Sequence, residues 1–121
     1  MVPPQRDLAD PNQKNKKMKS SYIPPEKVNS PRLRWSLIAV LDDGAGVDAT
    51  APWVSFALGR WDNDPCLAMR WNGNDENPIG NPQSRGLPTW FILPKGKVSE
   101  AILGILPTEK VKLARNFLPK A

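Results

Sequence analysis

Trp53-Val54-Ser55-Phe56-Ala57-Leu58-Gly59-Arg60-Trp61, the turn Asp62-Asn63-Asp64-Pro65, and Cys66-Leu67-Ala68-Met69-Arg70-Trp71 follow one another without a break. Side chains of a strand point alternately to opposite faces of a sheet. On one face this stretch places Val54, Phe56, Leu58, Leu67, Met69 and Trp71, a continuous apolar set suited to a core. On the other it places Trp53, Ser55, Ala57, Gly59, Trp61, Cys66, Ala68 and Arg70. The short turn is expected to set Trp61 beside Cys66, Gly59 beside Ala68 and Ala57 beside Arg70. The second face then has a floor of small residues, tryptophans at its ends and one arginine. Such a floor leaves room for a planar group, with Trp53 and Trp61 placed to stack on bases and Arg70 to meet a phosphate or a ring. It equally suits close packing beneath a second layer of protein, supplied by a partner subunit or by a loop of the same chain.

The neighbouring segments extend the pattern. A first strand is expected over Leu33–Leu41, before the turn Asp42-Asp43-Gly44. Residues Asn72–Gly86, rich in Asn, Gly and Pro, indicate a long loop. A fourth strand is expected over Leu87–Leu93, where Trp90 and Phe91 alternate and one of the two faces outward; an outward Trp90 would join the ligand surface. Val98, Ala101, Ile102 and Ile105 then recur at helical spacing. Pro107 ends that segment and suits the first turn of a second helix, with Val111, Ala114 and Leu118 as its stripe and Leu113 and Phe117 beside it. The expected architecture is α+β: a four-stranded antiparallel curved sheet followed by C-terminal helices packed on one face.

Charge divides the chain. Residues 1–34 carry eight Lys or Arg and three Asp or Glu, whereas residues 35–121 carry nine of each. Residues 1–31 contain six prolines and the lysines Lys14, Lys16, Lys17 and Lys19, with no apolar period. They are expected to form a disordered basic arm before a single domain at 32–121. Its lysines, with Arg85, Lys95 and Lys97, are the candidate phosphate contacts.

Catalytic groups are sparse. The chain has no histidine, the commonest general base and metal ligand. Its one cysteine, Cys66, cannot build a thiolate zinc site or an internal disulfide. No phosphate-cradling glycine motif occurs. No metal or other cofactor is implied, and a non-enzymatic role is expected. The acidic pairs Asp42-Asp43, Asp62/Asp64 and Asp75-Glu76 lie in turns, where Asp is common for backbone reasons; they leave a small carboxylate-dependent nuclease as one alternative. With no export signal and no run of about 18 apolar residues, the expected location is the cytoplasm and no membrane partner is expected.

Trp61-Asp62-Asn63-Asp64-Pro65, Met69-Arg70-Trp71 and Gly86-Leu87 ahead of a strand and helix resemble the PC4-like family of single-stranded DNA-binding transcription cofactors. The resemblance spans roughly residues 53–106. It implies a curved four-stranded sheet, a basic N-terminal arm, a homodimer joined through helices, and non-catalytic binding of single-stranded nucleic acid in transcription regulation or DNA maintenance. The chain departs from the family in its longer loop at Asn72–Arg85, its few strand lysines and the second helix after Pro107. The alternative is a protein-binding inhibitor or adaptor from a mobile element, using the same Trp/Ala/Gly face.

Overall fold

The computed structural model describes residues 22–46 and 49–119. A 3-10 turn at Pro25–Lys27 precedes β1 (Trp35–Asp42), β2 (Val54–Trp61) and β3 (Asp64–Trp71). The small hairpin of β4 (Gln83–Ser84) and β5 (Leu87–Pro88) follows, then β6 (Phe91–Ile92), α1 (Lys97–Leu103) and α2 (Thr108–Phe117). β1, β2, β3 and β6 form one antiparallel sheet in that order, followed by the two helices, so the α+β architecture is present. No helix among the described residues is long and apolar enough to cross a membrane.

The central hairpin turns on two residues. Asp62 and Asn63 have φ of 52° and 69°, the left-handed pair of a type I′ turn, which short polar side chains tolerate. Gly59 therefore pairs with Cys66, Ala57 with Ala68 and Ser55 with Arg70. This register lies two residues from the expected one. A two-residue slip keeps each side chain on its face, so the two sets of residues survive it.

The expected fourth strand divides. Leu87–Pro88 pairs with Gln83–Ser84, and only Phe91–Ile92 joins β3, opposite Met69 and Ala68. Pro88, which has no N–H to donate, sits in the separate hairpin. Both sheet edges are blunted. Along β1, the N–H groups of Trp35 and Leu37 donate to Pro31 O and Asn29 Oδ1, and the pairing with β2 is interrupted by two bulges. β6 spans two residues.

One face of the sheet packs on the helices. Leu41, Val54, Phe56, Leu58, Leu67 and Leu93 form a buried cluster with Leu103, Leu106 and Ala114. In α2 the expected stripe holds: Ala114 is buried, Val111, Phe117 and Leu118 pack beside it, and Leu113 is exposed. The face of α1 matches the expected one only at Ile102, which packs against the core. Leu103 and Leu106 enter the core, while Val98, Ala101 and Ile105 lie exposed. Residues 98–106 hold apolar side chains on two helical stripes, and the turn into α2 selects the one carrying Leu103 and Leu106.

The opposite face is closed by the chain itself. Val28, Trp35 and Trp90 cover Ala57, Cys66 and Ala68, with Ile23 packed against the group. Val28 is fully buried, its carbonyl accepts the Trp90 indole N–H at 2.7 Å, and Ile23 N–H donates to Pro78 O. The domain therefore includes residues 22–31, and the expected boundary at residue 31 is corrected on this ground. Burying a valine contributes about 1.5–3 kcal/mol, to which the packing of Ile23 and the hydrogen bonds at Val28 O and Pro78 O add. The rest of the expected arm, with Lys14, Lys16, Lys17 and Lys19, lies outside the described residues.

Candidate nucleic-acid interface

The closed face overturns the expected ligand surface. Ala57, Ala68 and Ser55 are fully buried, Cys66 is buried, and the small side chains of Ala57, Cys66 and Ala68 pack with Trp35 and Trp90. Trp90 is an interior residue and Phe91 is the outward member of the pair, 54% exposed. The alternation was legible in the sequence, but not which of the two rings the covering segment would take.

Arg70 is likewise interior. Its guanidinium is buried and donates to Thr89 O and Ile79 O, tying the middle of the long loop to the residue before Trp90. Nε has no partner, no carboxylate pairs with the group among the described residues, and burial lowers its pKa to about 10. Arg70 is thus a structural clamp rather than a phosphate contact. As a cation without a counter-ion it still adds positive potential to its end of the sheet.

That end carries the exposed aromatic rings. Val54 begins β2 and pairs with Trp71 at the end of β3, while Phe91 at the start of β6 pairs with Met69. Trp71 and Phe91 thus share the helix-side face as diagonal neighbours, a relationship in which large side chains about 7–8 Å apart remain in reach of each other. The helices cover the other part of this face and stop short of them. Trp71 is 56% exposed, against its expected place in the core. With Met69, Pro82 and Asn81, the two rings line a cleft of about 300 Å³.

Trp53 lies at the same end of the sheet but does not line the cleft. Its carbonyl accepts the Asn72 N–H at 2.8 Å, its N–H donates to Gly44 O at 2.8 Å, and its ring is half exposed. The backbone at Trp53 is left-handed (φ 67°), held by these two bonds. Its ring meets that of Tyr22 edge to face at 5.9 Å. The basic N-terminal sequence therefore joins the domain beside Trp53. Below them, Ser55 Oγ donates to Asn72 Oδ1 at 2.7 Å and Asn72 Nδ2 donates to Asp43 O at 2.7 Å, which fixes the strand ends.

The other expected contacts are scattered. Trp61 lies at the far end of the hairpin, where the Arg34 guanidinium covers its ring at 4.6 Å and pairs with Asp62. Lys95 is at that same end, paired with Asp64 at 2.6 Å. Lys97 is exposed in the first turn of α1. Arg85 is exposed in the turn of the small hairpin, with φ 53°. The structure thus keeps Trp53, adds Trp71 and Phe91, and separates Trp61 and Lys95 from them. Among the described residues no group of His, Cys, Asp and Glu side chains is arranged to hold a metal ion.

Comparison with protein-family models, curated proteins and solved structures finds no match to this chain.

Proposed function

We propose that the chain is a non-catalytic binding module for single-stranded nucleic acid, with Trp53, Trp71 and Phe91 as the base-contacting surface. The carrying observation is that Trp71 and Phe91 line one exposed cleft at the end of the sheet where half-exposed Trp53 also lies and where, through Tyr22, the lysine-rich N-terminal sequence joins the domain. Aromatic rings stack on any base, and each stacked base contributes about 1–3 kcal/mol. Lysines supply the salt-dependent attraction to phosphates. The resemblance of residues 53–106 to the PC4-like family supports the same ligand class, although the surface differs from the small-residue face first indicated.

A second reading is favoured by the cleft itself: Met69, Pro82, Trp71 and Phe91 make it mainly apolar, which suits a protein partner. Fluorescence anisotropy with labelled single-stranded and double-stranded oligonucleotides, at low and high salt, separates the two. The proposed function predicts tighter binding to the single strand, weakening steeply with salt, without cleavage. Absence of single-strand binding at low salt would overturn it and leave the protein-binding role.

A further inference from the structure

At the opposite end of β3, the sheet and the two helices border an open cavity of about 530 Å³. Its apolar walls include Leu67 of β3, Leu103 of α1 and Leu118 just after α2. This volume falls within the range of about 300–1,000 Å³ typical of small-molecule sites. The Ser99 hydroxyl, also in the lining, donates its proton to Pro94 O at 2.8 Å and so offers the cavity an acceptor but no donor.

The charged groups lining the cavity are Lys95, Arg115 and Glu100, a surplus of one positive charge. Arg115 pairs with Glu100 at 2.8 Å, and Lys95 with Asp64, an acid that is not part of the lining. All four side chains are more than half exposed, and exposed ion pairs of this kind hold weakly. Both cations can therefore exchange their partners for an incoming anion at little cost.

We infer that this cavity binds a small amphiphile with an anionic head. The apolar tail lies between Leu67, Leu103 and Leu118, and the head group is held by Arg115 and Lys95. The site is separate from the aromatic end and does not depend on nucleic-acid binding. No covalent step is involved.

The test is an amide-resonance titration of the full-length protein with decanoate below its micelle concentration, and with decyltrimethylammonium as the charge-reversed probe. Decanoate is expected to shift the amides of Leu67, Leu103 and Leu118 saturably, and the ammonium amphiphile to bind about tenfold more weakly or worse. Arg115→Gln should weaken decanoate by about tenfold, and Leu118→Trp, which fills the cavity, should abolish the shifts. Unmoved amides at these positions, or equal binding of the two amphiphiles, would overturn the inference. So would binding to phosphatidylglycerol vesicles by a protein that ignores free decanoate.

Discussion

The indole of Trp35 lies directly on Gly59: a Cβ placed at Gly59 would overlap Trp35 Cη2 and stand 2.7 Å from Ser36 O. The glycine is the seat of the ring that closes this face of the sheet. Gly59→Ala is therefore expected to destabilise the fold by about 3 kcal/mol, the upper end of the usual range for overpacking. Urea unfolding measures this directly. A loss below about 1 kcal/mol would show that Trp35 is not held against the strand.

Removal of N-terminal residues should act in two stages. Deleting residues 1–21 is expected to leave the unfolding midpoint unchanged. Deleting residues 1–31 removes Ile23, Val28 and the acceptor of the Trp90 N–H. The expected loss is at least about 3 kcal/mol, from the valine burial and the hydrogen bond together. Trp90 emission should shift to the red as its cover is lost. Equal stability of the two truncated proteins would refute the assignment of residues 22–31 to the domain.

Asp42 gives the fold an acid-sensitive element. Burial pushes its carboxyl pKa up, but the N–H groups of Thr50 and Gly44, the Thr50 hydroxyl and the charge of Lys110 outweigh this and hold it below the usual value. Oδ1 accepts Gly44 N–H at 2.8 Å and Oδ2 accepts Thr50 N–H at 2.7 Å. A carboxylate whose folded pKa is lowered stabilises fully above its unfolded pKa and loses that contribution as pH falls through the folded value. Asp42→Asn keeps one acceptor oxygen and should lose about 1 kcal/mol at neutral pH, allowing for solvent screening. The gap between the two proteins should narrow below about pH 4. A constant gap from neutral pH to acid would show that the charge of Asp42 plays no part.

The alternation of residues 53–71 made the two faces of the hairpin legible, because the period of two survives a two-residue error in register. Val54, Phe56, Leu58 and Leu67 are core residues as expected. What covers the second face was not legible. Ser, Ala and Gly at alternate positions suit a stacked base and a stacked tryptophan equally, and the choice is made by Val28, Trp35 and Trp90, distant in sequence. Trp71 belongs to the apolar face by parity, and only the reach of the helices leaves it in solvent. Arg70 reads from the sequence as a phosphate or ring contact, because nothing local marks the carbonyls of Ile79 and Thr89 as its partners.

The most direct test of the proposed interface is the affinity of Trp71→Ala for a labelled single-stranded oligonucleotide, measured by anisotropy at low salt alongside urea unfolding. The ring is more than half exposed, so stability should change by no more than about 0.5 kcal/mol. Loss of one stacked base should weaken binding by about 1–3 kcal/mol, or roughly 5- to 150-fold. Trp61→Ala, at the far end of the hairpin, should leave affinity within about twofold of the unmodified protein. Unchanged affinity in Trp71→Ala, with binding lost in Trp61→Ala instead, would contradict the placement of the interface at the Trp53–Trp71–Phe91 end of the sheet.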